Sequence, residues 1–238
     1  MPATQRPRDS YGKPSESKPP GRFYDGCKWL WRTVFGLTMR VRSSGLEEVP
    51  AVDGTIIAVS HVSHLDPIVV SALVARRISW ISRWEFYQQW FMRSILHHGG
   101  AFMVNRRGPA LPTIREGLRR LERGEAVGIF PEGELMGGND SVLRGASIKQ
   151  GVCLLAARSG RPVLPVVVLG TDQLAKIGPW LPAKRGKLWV RAGRPIWASP
   201  AARSRRGRAE FARELVAEYV RLYAEIRKEF DLPEDIVP

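Results

Sequence analysis

Apolar positions in this chain alternate between helical spacing and short uninterrupted runs. Phe23, Cys27, Leu30, Val34 and Leu37 recur every three or four residues, which predicts a helix over Arg22–Thr38 with Arg22, Lys28 and Arg32 on its other side. Met39–Ser43 and Thr55–Ser60 read as strands joined by the turn-rich segment GLEEVPAVDG. Helices are expected over Pro67–Arg77, Glu85–His97 and Pro109–Arg123, the last closed by Gly124. Ala126–Phe130 and Pro162–Leu169 are apolar runs suited to interior strands, and Ser147–Ser159 between them has helical periodicity. A last amphipathic helix is expected over Ala209–Phe230, with Phe211, Leu215, Tyr219, Leu222 and Ile226 on one stripe. Strands alternating with helices predict an α/β fold, a mainly parallel sheet flanked by helices.

Composition refines this outline at the N-terminus. Residues 1–21 are rich in Pro, Ser, Lys and Arg and offer almost nothing to bury, so a disordered basic tail is expected there. Trp29, Trp31 and Phe35 widen the apolar face of the helix over 22–38 and suit a headgroup boundary, so the helix either lies in a membrane surface or packs on its own domain. The rest, 39–238, is long enough for one compact domain. The formal charge of +14 favours polyanionic partners: nucleic acid, an anionic bilayer or phosphorylated substrates. No apolar run approaches the roughly 18 residues of a membrane span, and no secretory signal opens the chain. A peripheral or monotopic protein on the cytoplasmic face of the cell membrane is the expectation. Two cysteines, Cys27 and Cys153, make neither a disulfide framework nor a metal-ligand spacing, and no cofactor is implied.

The chemistry concentrates in four short segments. In HVSHLD (61–66), His61 leaves the end of a buried strand, where open α/β sheets place their sites. Pro67 suits a first helical position, which makes Asp66 a natural N-cap able to face His61 across the loop. An aspartate on one imidazole nitrogen fixes the tautomer and leaves the other as a base. His64 is expected only to line the site. No serine elbow or reactive cysteine accompanies the pair, so the base would act on a substrate hydroxyl. In FPEG (130–133), Glu132 emerges beside a glycine at the same sheet edge.

HVSHLD, GAFMVNR (100–106), FPEG and LPVVV (164–168), in that order, resemble the four sequence blocks of the glycerophospholipid acyltransferases, most closely the bacterial 1-acylglycerol-3-phosphate acyltransferase type. The resemblance spans about residues 39–200. It implies His61 as general base and Asp66 as its orienting partner. The acceptor hydroxyl would then attack the thioester of acyl-CoA or an acylated carrier protein directly. It further implies that Arg106 binds the acceptor's phosphate, that Glu132 and Gly133 help position its glycerol, and that Pro165 shapes the acyl side.

One departure bears on the acceptor. The third block of the family usually continues with threonine and arginine, whereas Glu134 and Leu135 stand here. Arg144 and Lys149 are the candidates to supply the missing cation. Lysophosphatidic acid is the expected acceptor; another lysophospholipid or a glycolipid is the alternative. A different class, a basic nucleic-acid binder, is suggested only by the charge and by RSRRGR (203–208), without a recognised nucleic-acid motif.

Overall fold

The computed structural model describes residues 21–49, 53–83, 99–104, 111–176, 178, 181 and 186–233. Among the described residues seven strands form one sheet in the order β1-β7-β6-β2-β5-β3-β4: β1 (Met39–Ser44), β2 (Thr55–Val59), β3 (Ile78–Arg83), β4 (Phe102–Val104), β5 (Ala126–Ile129), β6 (Val163–Leu169) and β7 (Gly186–Ala192). From β6 to β4 all neighbours are parallel; β7 runs antiparallel to β6 and carries β1 parallel to itself. The described helices are α1 (Arg22–Thr38), α2 (Asp66–Leu73), α3 (Leu111–Glu122), α4 (Gln150–Ser159) and α5 (Arg205–Phe230).

Alternation along the central strands supplies both cores. Ile56, Ala58, Val163, Val167 and Trp189 face one way, onto Leu155 of α4 and Phe211, Leu215 and Tyr219 of α5. Ile57, Val59, Leu164, Val166 and Leu188 face the other way, onto Phe35 of α1 and Val69 and Val70 of α2. Burial on both faces is why β2, β5 and β6 read as unbroken apolar runs.

Several elements depart from expectation. The helix over Pro67–Arg77 stops at Leu73, Val74 is extended, and β3 follows at once from Ile78. The Arg76 guanidinium then donates to the carbonyls of Asp53 and Gly124, at 2.8 and 2.6 Å, which anchors the crossover. The helix over Ser147–Ser159 begins only at Gln150, because Lys149 is extended, with its N–H on the Pro131 carbonyl 2.8 Å away. Helix α5 starts earlier than its apolar stripe, at Arg205, with the Ser204 hydroxyl capping the Gly207 N–H. The helix expected over Glu85–His97 and the tail over 1–20 lie outside the described residues.

Helix α1 turns a different face inward from the one its sequence suggests. Tyr24 and Phe35 are buried, Trp31 is half-buried, and Lys28, expected on the polar side, donates to the carbonyls of Val74 and Ala75 at 2.5 and 2.8 Å. That ammonium closes the C-terminal end of α2, where a cation is favoured. The helix therefore packs on its domain, yet Phe23, Leu30 and Leu37, one stripe at seven-residue spacing, stay 51%, 51% and 59% exposed.

Candidate active site

The carboxyl ends of β2, β5 and β6 meet at one edge of the sheet, and each delivers part of the site. Ser60 continues the ladder past β2, its N–H on the Val166 carbonyl at 3.0 Å, and the chain then leaves the sheet at His61. The Nδ1 of His61 lies 2.9 Å from Asp66 Oδ2, with the imidazole 13% exposed and Asp66 fully buried.

Asp66 does not cap α2. It is the first helical residue, Leu65 takes the cap position, and no side chain caps the helix. The carboxylate instead turns back over its own loop. Its Oδ2 accepts the N–H groups of Val62 and Ser63, each at 2.9 Å, as well as the imidazole. Its Oδ1 accepts the hydroxyl of Thr171 at 2.5 Å. Loop N–H groups with no ladder partner need an acceptor, and the carboxylate supplies it. As an ionised carboxylate is acceptor-only, Nδ1 carries the proton and Nε2 is left as the basic nitrogen. Among the described residues nothing hydrogen-bonds Nε2.

The imidazole plane is held by stacked rings. Phe130 lies 3.8 Å from the His61 ring centroid at 21°, and Trp80 stacks on Phe130 at 5.1 Å and 12°. The indole of Trp80 donates to the Ser71 hydroxyl at 2.8 Å. Its place exists because β5 carries Gly128: a Cβ there would lie 2.4 Å from the Trp80 ring. A glycine in the middle of a buried strand thus supports the site through two rings.

The segment 130–136 is stitched to the histidine loop. Gly133, at φ +79°, closes a turn with its N–H on the Phe130 carbonyl at 3.0 Å. Glu132 is 2% exposed; its Oε2 accepts the His61 N–H at 2.7 Å, and its Oε1 accepts the Val142 N–H at 2.9 Å. The Ser141 hydroxyl also reaches Oε1, at 3.4 Å. The Met136 N–H returns to the His61 carbonyl at 2.9 Å. Burial outweighs these hydrogen bonds and pushes the Glu132 carboxyl up to about 7. Both oxygens of Glu132 therefore serve the two loops; the carboxylate works as a strut.

The remaining sequence candidates lie farther from the dyad. Arg106 is outside the described residues. Arg144 and Lys149 are exposed, and Lys149 Nζ approaches Glu134 Oε1 at 3.9 Å, so the departing acid in the third segment partners one of the two substitute cations. Pro165 is buried in β6, level with Ala58, its carbonyl accepting the Gly193 N–H at 2.9 Å. It faces the α5 side with Val163 and Val167 and is not brought to His61. His64 sits at the rim, ring centroids 6.4 Å from His61. Thr171, Trp80 and Ser141 join the site without belonging to any of the four sequence segments. Only Thr171 had a signal, a hydroxyl residue just past a buried strand at the same edge. Among the described residues no cluster of three His, Cys, Asp or Glu side chains is arranged to hold a metal ion.

An imidazole oriented by a buried carboxylate at the rim of a mainly parallel sheet is an arrangement able to take a proton from a substrate hydroxyl. The chain belongs to the Acyltransferase family, whose pattern matches residues 40–169, more than half of its length. It is similar to the 1-acyl-sn-glycerol-3-phosphate acyltransferase of Bacillus subtilis, 25% identical over 174 residues that make up 73% of this chain and 82% of that protein. The protein of the same description from Borreliella burgdorferi is 26% identical over 137 residues, 56% of this chain and 53% of that one. The fold matches the crystal structure of the 1-acyl-sn-glycerophosphate acyltransferase PlsC from Thermotoga maritima with a TM-score of 0.60 at 22% identity. That match covers 82% of this chain and 78% of the other.

Proposed function

We propose that the protein moves a fatty acyl group from a thioester donor, acyl-CoA or acylated carrier protein, to the free hydroxyl of 1-acylglycerol-3-phosphate, giving phosphatidic acid. The observation that carries this reading is the His61–Asp66 contact at 2.9 Å, with Nε2 left for an acceptor hydroxyl. His61 takes the hydroxyl proton as the oxygen attacks the thioester carbonyl. The carbon–sulfur bond then breaks, and the thiolate leaves with the proton returned by the imidazolium. Asp66 and the Phe130 ring face stabilise that transient cation. Arg106 is assigned to the acceptor's phosphate by the resemblance of its segment, a role that suits a forked guanidinium. The names of the relatives support the acceptor class. The Glu134–Lys149 approach favours, as a second reading, an acceptor with less phosphate charge.

The same reading places the protein on the cytoplasmic face of the membrane as a peripheral enzyme. Among the described residues no helix is long and apolar enough to cross a membrane, and α1 offers an exposed apolar stripe.

The test is thiol release from oleoyl-CoA with lysophosphatidate, a neutral lysophospholipid and a glycolipid as parallel acceptors. His61→Ala should lower kcat by about 10²–10⁴-fold, the usual contribution of a general base. Equal rates in wild type and variant would remove the proposed base; preference for the neutral lipid would select the second reading.

A further inference from the structure

A groove at the opposite edge of the sheet from β4, where β1 pairs with β7, has chemistry that the dyad does not use. Its floor is apolar, Trp189 of β7 and Phe230 at the end of α5. Its rim carries Arg40 and Arg42 of β1 and Lys187 of β7, with Asp231 the one acid among the described lining residues. The cavity holds about 340 Å³, within the range of small-molecule sites. The Arg42 guanidinium lies 5.7 Å from the Phe230 ring centroid, and the Gln173 amide holds the Lys187 carbonyl at 3.0 Å. Among the described residues no ion pair takes up Arg40 or Lys187.

We infer that this groove takes the nucleotide end of acyl-CoA, so that the donor is a coenzyme A thioester; the inference rests on the acyltransferase reading above. A planar base needs an apolar floor, and its phosphates need cations that are not already paired. Position agrees. Strand β7 is two strands from β2, which leads into His61, about 10 Å at normal sheet spacing. The Trp189 ring lies 3.2 Å from where a Cβ on Gly170 would stand, and the next residue, Thr171, holds Asp66. A flexible thioester arm crosses that interval to Nε2. Trp189 also belongs to the core beneath α4 and α5, whereas α1 covers the other face. The sheet thus separates a water-soluble polyanion from the helix assigned to the lipid.

An anionic lipid headgroup would present the same phosphate chemistry, so the test has an arm for each. Full-length wild type and the triple variant Arg40→Gln, Arg42→Gln, Lys187→Gln are titrated calorimetrically with adenosine 3′,5′-bisphosphate. The three side chains are exposed, and melting temperature serves as the folding control. The variant should bind about tenfold more weakly, while Asp231→Asn should tighten binding about two- to threefold. In turnover, the triple variant should raise the apparent KM for acyl-CoA by a similar factor and leave the KM for lysophosphatidate unchanged. Bisphosphate binding indifferent to the triple variant overturns the assignment. So does a loss of partitioning to phosphatidylglycerol vesicles with bisphosphate binding intact. Absence of acyl transfer alongside cation-dependent bisphosphate binding would instead remove the acceptor reading and leave the groove as a nucleotide site.

Discussion

Two buried carboxylates frame His61, and they do different work. Asp66 takes four donors and fixes the ring, while Glu132 takes the main chain of His61 and ties it to the loop at 141–142. Glu132 has a consequence for stability. Burial pushes its carboxyl up to about 7 in the folded protein, against an ordinary value of 4.5, so below the lower value both states hold the proton. Between the two values the unfolded chain releases its proton and the folded protein keeps it, so the stability that this group contributes is lost as pH rises. Across pH 4.5–7 wild type should therefore lose on the order of 3 kcal/mol relative to Glu132→Gln, measured by urea unfolding at several pH values. A pH-independent difference between the two would show that the carboxyl is not raised. His61, Asp66 and Glu132 were legible because their spacing places them at strand ends. Thr171 and Trp80 were not, because each reaches the site from a segment distant in the chain, as the 105-residue separation of Thr171 and Asp66 shows, and Ser141, although only nine residues from Glu132, belongs to no motif.

Helix α1 carries two apolar faces, and periodicity alone does not say which one the domain takes. Packing decided: Tyr24, Trp31 and Phe35 fit against α2 and the sheet, and Lys28 found the end of α2. The outward stripe stays about half exposed, and it is the face that the proposed reading gives to lipid. Phe23→Ser, Leu30→Ser and Leu37→Ser together should lower partitioning to anionic vesicles about tenfold or more, as lost apolar burial in the interface requires, with little effect on melting. Unchanged vesicle binding would sink the membrane assignment of the stripe. Phe35→Ala is the contrast: at 1% exposure it should cost about 3–5 kcal/mol of stability. The strands show a parallel limit. Runs buried on both faces were visible as apolar blocks, whereas β7, with Lys187 and Arg191 among its residues, and β3, with Ser79 and Arg83, lack such a run.

Taken together, the excess of positive charge has more than one outlet. RSRRGR forms the turn before α5 and its first residues, where Arg206 pairs with Glu210 and Arg208 donates to the Arg203 carbonyl at 2.7 Å. Arg191 is engaged by Glu225 and Glu229, and Arg221 by Glu218 and Glu225. The net charge of +14 nevertheless remains, and attraction to an anionic surface is screened by salt. Partitioning to vesicles containing phosphatidylglycerol should fall steeply between about 50 and 500 mM salt, and that to neutral vesicles should change little. Equal salt dependence for both lipids would leave the charge without a membrane role.

What the chain determined by itself is local and short-ranged. Apolar runs set the central strands, alternation with helices set the α/β class, and ordered segments at strand ends marked His61, Asp66 and Glu132. These follow from periodicity and from where a chain must leave a sheet. Only the tertiary structure decided strand order, the reversal at β7, the buried face of α1 and the partners of the two carboxylates. Those depend on contacts between residues far apart in sequence, selected by which surfaces pack without voids and which buried polar groups find partners.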